Sequence, residues 1–288
     1  MGTAPAVDLA AVLDELVRGV SEDDAYRSPD AAEREAACTG LARLAVGDMP
    51  GAAAILQPLG FTVATLVDAV TGRAFRSARS EAGGERRWGL YLVDTAAPVR
   101  LSIGVPHPRF DQFCEQLALR LWRAVPGSLL SVATVHRNAI DRASTTTPPQ
   151  HADPARNPAA LFHRHWTDVL GPRGIPQVQI HGFRNDTAPE RVAVSTGAGV
   201  QTAAATRIAD EIETVVTPTT RNWDGSAHPA IRATTNVQGI AARAQGWVWV
   251  HVEHNRTVRE DPAIWEPAMD AVAAADPTLL GQHRPPPG

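Results

Sequence analysis

Lysine is missing from this 288-residue chain, and all 27 of its Lys and Arg positions are arginine. That excludes a lysine Schiff base, a pyridoxal-phosphate anchor, a P-loop lysine and an SxxK nucleophile. Cysteine is nearly missing too. Cys38 and Cys114 lie in separate segments, so neither a disulfide framework nor a thiolate zinc site is implied. There is no basic block, and the net charge is −4. Nucleic-acid binding by phosphate neutralisation is therefore not expected. No apolar run reaches the length of a membrane span. The opening stretch MGTAPAVDLAAVLDEL has no basic region ahead of its apolar residues and lacks the serine or threonine that myristoylation needs. The expectation is a cytoplasmic protein that does not bind membranes. No GxSxG or HExxH motif is present, nor a Walker or Rossmann glycine pattern.

What the chain does have is three short apolar runs, each closing on a residue able to hold a metal or move a proton. VRLSIGV at 99–105 runs into Pro106-His107-Pro108. QVQI at 177–180 runs into His181-Gly182-Phe183. WVWVHV at 247–252 runs into Glu253-His254-Asn255-Arg256. Each run is short, rich in β-branched or aromatic residues, and stopped by Gly, Pro or Asn, which predicts a buried strand. In an open α/β sheet, ligands bind outside the carboxyl ends of the strands. Three such ends would converge on one crevice.

Helical periodicity covers 6–19, 29–46 and 51–58. Strands are predicted at 61–67 and 88–94, with the stretch SARSEAGGERR between them read as an exposed hairpin loop. Strand and helix then alternate: strand 99–105, helix 110–124, strand 129–135, helix 158–170, strand 177–181, strand 191–195, helix 201–213, strand 214–217, strand 247–253 and helix 262–275. Two long loops, 136–157 and 218–239, interrupt the series, and loops of that length are usually functional or disordered. The predicted fold class is α/β, a single mixed, mostly parallel sheet with helices on both faces, plus a helical N-terminal section. The predicted organisation is a helical section 1–58 packed on an α/β domain spanning 59–280, with a disordered tail at 281–288.

His107 sits between two prolines that fix the local backbone, which suits a ligand whose direction matters. Asp111, four residues on, is close enough to reach the same metal; it could equally be an acid that complements a helix dipole. Glu115, one turn later on the same helical face, is the alternative acid. One short spacer and one long spacer to His181 is a common pattern of catalytic zinc sites with three protein ligands. A carboxylate closing so apolar a strand is costly to bury unless it is paired or useful, so Glu253 reads either as a proton-moving base or as a salt-bridge partner of Arg256 or Arg259. His251 shares its strand face and is a second candidate. Arg137, Arg184 and Arg256 follow predicted strand ends, where a guanidinium could hold a carboxylate bidentately. His163 and His165 are two apart on a predicted helix and point to different faces. Cys114 reads as a core residue.

The order strand-His-Pro, helix with an acid, His-Gly, and a last strand closing on Glu and then Asn-Arg resembles the zinc exopeptidase and amidohydrolase group. That group includes N-formylglutamate amidohydrolases and poly-γ-glutamate hydrolases, relatives of zinc carboxypeptidases in fold. Val252-Glu253-His254-Asn255-Arg256 is similar to the Glu-x-Asn-Arg that closes the last strand of N-formylglutamate amidohydrolases. Val105-Pro106-His107-Pro108 is similar to their Pro-His-Ser-Gly. The resemblance covers roughly residues 88–260. It implies a zinc ion held by His107, Asp111 and His181, with Glu253 as the catalytic carboxylate and with Arg137 and Arg256 facing a substrate carboxylate. One departure stands out: where carboxypeptidases have His-x-x-Glu, position 110 here is Phe, so Asp111 or Glu115 must supply the acid. The function expected is metal-dependent hydrolysis of an amide or peptide-like bond in a small acidic substrate. The other readings are a non-catalytic binding member of the fold and an acyl-transfer enzyme.

Overall fold

The computed structural model describes residues 4–81, 83–139, 151–197, 201–222 and 231–276. The two long loops of the sequence lie partly outside these residues, and the tail 281–288 lies wholly outside them. Among the described residues, ten strands form one sheet: β1 (Ala6–Val7), β2 (Phe61–Asp68), β3 (Ala74–Ser80), β4 (Leu90–Asp94), β5 (Leu101–Val105), β6 (Ser128–Val132), β7 (Gln177–Phe183), β8 (Val192–Ser195), β9 (Thr219–Arg221) and β10 (Trp249–Asn255). Their spatial order is β1-β2-β3-β4-β6-β5-β7-β10-β8-β9. The central block β6-β5-β7-β10 is parallel throughout, while β3, β4 and β8 bring antiparallel pairings. The sheet is thus mixed and mostly parallel.

Helices cover both faces. α1 (Leu9–Arg18), α4 (Cys114–Ala124), α6 (Ala203–Glu213) and α9 (Pro262–Ala274) share one core with Leu101, Ile103, Val178, Ile180, Val250 and Val252. α2 (Ala31–Val46), α3 (Met49–Leu56) and the turns that follow α5 (Leu161–Arg164) pack on the other side, around Tyr91, Trp166 and Trp249. α7 (Val237–Gln245) and α8 (Arg256–Glu260) flank β10. Among the described residues, no helix is long and apolar enough to cross a membrane.

The central strands are buried on both faces, which is why they read as near-continuous apolar runs. The alternation within them matters more. In β7, Val178 and Ile180 enter the first core, and in β10 Val250 and Val252 do the same. Side chains alternate along a strand. Gln177, Gln179 and His181 therefore share the opposite face, in register with Trp249, His251 and Glu253 of β10. Beside them, β5 places Ser102 level with Gln177 and Gly104 level with Gln179. A polar strip runs under the crevice.

Several elements differ from the sequence expectation. The stretch read as a hairpin loop, 77–87, begins with the second half of β3, because Ala78 and Ser80 are buried and the strand pairs with both β2 and β4, while Arg76 just before it donates to the carbonyls of Leu44 and Ala45 at the end of α2. No strand forms at 214–217: Val215 and Val216 close a turn after α6, and the strand is β9. The loop 218–239 also contains the start of α7, which is capped by Asn236. Residues 6 and 7 form β1 beside β2 rather than a helical turn, with Asp8 capping α1. The helix expected from 110 starts at Cys114.

Candidate metal and catalytic site

His107 follows β5 directly, in a loop that ends at α4. The loop turns through two bulky residues with left-handed backbone, Arg109 (φ 68°) and Phe113 (φ 72°). That conformation is unfavourable for any side chain but glycine's, and bulky residues keep it only where the surroundings impose it. The two bracket Asp111, whose amide donates to the His107 carbonyl (2.9 Å). The tight loop turns the Asp111 carboxylate back under His107.

His107, Asp111 and His181 then meet. Asp111 Oδ2 lies 3.2 Å from His107 Nδ1 and 3.3 Å from His181 Nδ1. All three residues are buried. On its far side, His107 Nε2–H donates to Asp153 Oδ1 (2.8 Å), and Asp153 Oδ2 accepts from Arg137 Nη2 (2.6 Å). Arg137 also stacks over Phe110 (4.8 Å) and places Nη1 3.4 Å from His107 Nδ1. His181 stands 4.4 Å, centroid to centroid, from His251 and 4.9 Å from His107. His251 Nε2 is 3.4 Å from Glu253 Oε1, while Glu253 Oε2 and His251 Nδ1 are buried without a hydrogen-bond partner among the described residues. His107, Phe110, Asp111, Arg137, His181, His251 and Glu253 line one cavity of about 720 Å³, with Asp153 behind His107.

The electrostatics follow from burial and from Asp111. Burial alone would lower the His107 pKa, but the carboxylates of Asp111 and Asp153 outweigh it and raise it to about 9. Burial opposes the charge of Asp111, yet the contacts with His107 and His181 hold it well below the usual carboxylate range. Burial lowers His181, against the pull of the Asp111 carboxylate beside its Nδ1. Burial and the neighbouring Asp111 charge push Glu253 up to about 8.

Two imidazole nitrogens and a carboxylate oxygen around one point require positive charge between them, from protons or from a cation. Two ligands each about 2.0–2.1 Å from a tetrahedral zinc lie about 3.3 Å apart. The 3.2 and 3.3 Å separations seen here match that edge. Neutral imidazole and carboxylate are also the donor types such a cation takes, with no soft thiolate near. The residues therefore fit a divalent metal. His181, His251 and Glu253 form a second group whose ligand atoms lie within 4.8 Å of one another.

The structure brings together His107, Asp111, His181, Glu253 and Arg137 as the sequence suggested. It does not bring Arg256 to the cavity: its half-exposed guanidinium pairs with Glu260 (2.7 Å), because Arg256 opens α8 and is carried past the strand end. Glu115 is also outside the lining. It lies in the first turn of α4 itself, where burial pushes its carboxyl up to about 7 and Asp14 and Arg259 are the charges nearby. Of the two acids, only Asp111 faces the histidines. Arg184 reaches the cavity, but its guanidinium is bound to Asp186.

Sequence reasoning missed Asp153, Gln179, Asn236 and Arg259. Asp153 lay inside a long loop, and its only signal was an acid locked ahead of Pro154. Arg259 donates to the carbonyls of Phe183, His254 and Gln112 and so ties three strand-end segments together. A side chain at Gly182 would collide with that guanidinium, which explains the glycine after His181. Arg232 lines the cavity with an exposed side chain, and no ion pair holds its guanidinium among the described residues.

No family model matches the sequence, and no curated protein matches it. Solved structures do resemble it. A metallo-carboxypeptidase from Pseudomonas aeruginosa is 13% identical, with a TM-score of 0.39, over 79% of this chain and 68% of that one. An aspartoacylase family protein from Mesorhizobium loti is 11% identical, with a TM-score of 0.41, over 74% and 67%. N-formylglutamate amidohydrolase from Ralstonia eutropha is 14% identical, with a TM-score of 0.35, over 62% and 93%.

Proposed function

We propose that the protein is a metal-dependent hydrolase of an amide or peptide-like bond in a small, carboxylate-bearing substrate. The observation that carries this reading is the meeting of His107 Nδ1, Asp111 Oδ2 and His181 Nδ1 beside a buried Glu253 with one unpartnered oxygen. His107, Asp111 and His181 would hold the ion, zinc by the chemistry of the donors. When bound, such an ion acts as a Lewis acid that polarises a substrate carbonyl and makes water easier to deprotonate.

The other steps belong to the protein. Asp153 fixes the His107 ring by accepting its Nε2–H, as carboxylates commonly do behind a metal-binding histidine. Glu253 is held protonated by burial and by the charge of Asp111. Once that charge is compensated, its carboxylate is free to take a proton from an attacking water and return it to the leaving nitrogen. Arg137, beside Phe110, and Arg232, exposed on the cavity wall, are the cations that would meet the substrate carboxylate and the developing oxyanion. Arg232 takes the place that the sequence gave to Arg256.

The test is hydrolysis of a panel of N-acyl and peptide-like amides of acidic amino acids by zinc-loaded protein. Glu253→Gln should lower turnover by about 10²–10⁴-fold, the usual worth of a positioned acid–base group, while zinc content stays unchanged. Turnover that survives in Glu253→Gln removes the assigned role.

A further inference from the structure

The polar strip beneath the site is a chain of hydrogen bonds whose direction can be worked out. One end is Asn236. Its Oδ1 accepts from the backbone amides of Gln238 (2.9 Å) and Gly239 (3.2 Å) as the cap of α7. A backbone N–H can only donate, so the Asn236 oxygen is fixed there and its Nδ2 must donate, to Gln179 Oε1 at 2.9 Å. The other end is Trp249. Its indole N–H is a donor only, and it reaches Gln177 Oε1 at 3.2 Å. The Gln177 amide nitrogen then turns to Ser102 Oγ (3.3 Å), and Gln177 Oε1 accepts a second bond from Gln179 Nε2 (2.8 Å). Both ends therefore orient Gln179 the same way, nitrogen toward Gln177 and oxygen toward Asn236.

That same oxygen lies 3.2 Å from His181 Nε2. With Gln179 Oε1 already an acceptor, His181 Nε2 must carry the proton. In the neutral ring the other nitrogen, Nδ1, is then bare, and it faces Asp111 Oδ2. The strip has been cleared for this. Gln177 and Gln179 are fully buried, and Gly104 in the neighbouring strand leaves the room: a Cβ there would stand 3.2 Å from Gln179 Cγ and 3.0 Å from the Phe162 ring.

We propose that Gln179 is a positioning residue that sets His181 in its Nε2–H tautomer, so that Nδ1 is presented as a bare ligand nitrogen. The consequence for metal binding rests on the function proposed above; the tautomer itself does not. The experiment is long-range proton–nitrogen NMR on metal-free protein with isotope-labelled histidine, at neutral pH, alongside zinc titration. The wild-type His181 ring should show a protonated Nε2 and a bare Nδ1. Gln179→Met, of similar length but without an acceptor, should lose that preference and bind zinc about 10–100-fold more weakly, the usual cost of removing an outer partner of a metal ligand. Gln179→Glu keeps an acceptor and should keep both. A wild-type ring protonated at Nδ1, or a folded Gln179→Met protein with unchanged tautomer and zinc affinity, overturns the assignment. A wild-type Nε2–H ring that takes up no zinc supports it while refuting the metal site, so the two failures are distinguishable.

Discussion

At the scale of single residues, the site depends on which acid faces which histidine. Asp111 serves two imidazoles at once, and Asp153 holds the back of one of them. The sequence made His107, His181 and Glu253 legible because each ends an apolar run, where a polar group has to be explained. Asp111 was legible only as one of two acids, and spacing could not separate it from Glu115. The backbone sets their places apart: Asp111 stays in the loop beside both histidines, while Glu115 belongs to the helix. Asp153 was not legible, since its partner His107 lies 46 residues away and nothing local marks it. Its role has a testable size. Asp153→Ala should weaken zinc binding by about 10–100-fold, because the His107 ring loses the acceptor that fixes it. Equilibrium zinc titration against a competing chelator reads this directly, and an unchanged affinity would remove Asp153 from the site.

At the scale of elements, the central strands β5, β7 and β10 were legible and their faces were only half so. The runs QVQI and WVWVHV looked uniformly apolar, yet one face of each carries glutamines, tryptophan and histidine that pair only with a neighbouring strand. β3 escaped notice because its polar residues earn their place through pairing on both sides, which no local pattern contains. The loop from 107 to 113 looked like the start of a helix. Its course is set instead by the left-handed residues Arg109 and Phe113. Arg109 is exposed, so a β-branched substitution there tests the backbone with little loss of packing. Arg109→Val should cost about 1 kcal/mol or less, because branching at Cβ adds only part to the left-handed penalty of about 1–2 kcal/mol that arginine already carries. Urea unfolding of the two proteins measures it; equal midpoints would mean that branching at Cβ adds no strain at this position.

At the scale of the whole molecule, the fold sets a crevice at the ends of the parallel central strands and holds two buried, neutral histidines outside its lining. Burial lowers His163 to about 4 and His165 to about 3. His165 packs edge-on against Tyr91 with its Nε2 unpartnered. Above the ordinary histidine value of 6.5, folded and unfolded rings are both neutral and contribute nothing to pH dependence. As the pH falls below 6.5 the unfolded ring binds a proton that the folded ring refuses, so stability drops steadily until pH reaches about 3. Metal-free protein should therefore lose stability on acidification in this window, and His165→Phe should flatten the loss. Denaturant midpoints taken at neutral and mildly acidic pH check it, and an identical slope in the variant would contradict it.

The claim on which the rest depends is that His107, Asp111 and His181 together hold one divalent ion. Zinc per chain, measured by elemental analysis after exhaustive dialysis of the wild type and of Asp111→Ala, tests it most directly. One zinc per wild-type chain is expected, and essentially none in a folded Asp111→Ala protein. A wild type without zinc, or an Asp111→Ala protein that keeps it, would rule out this site.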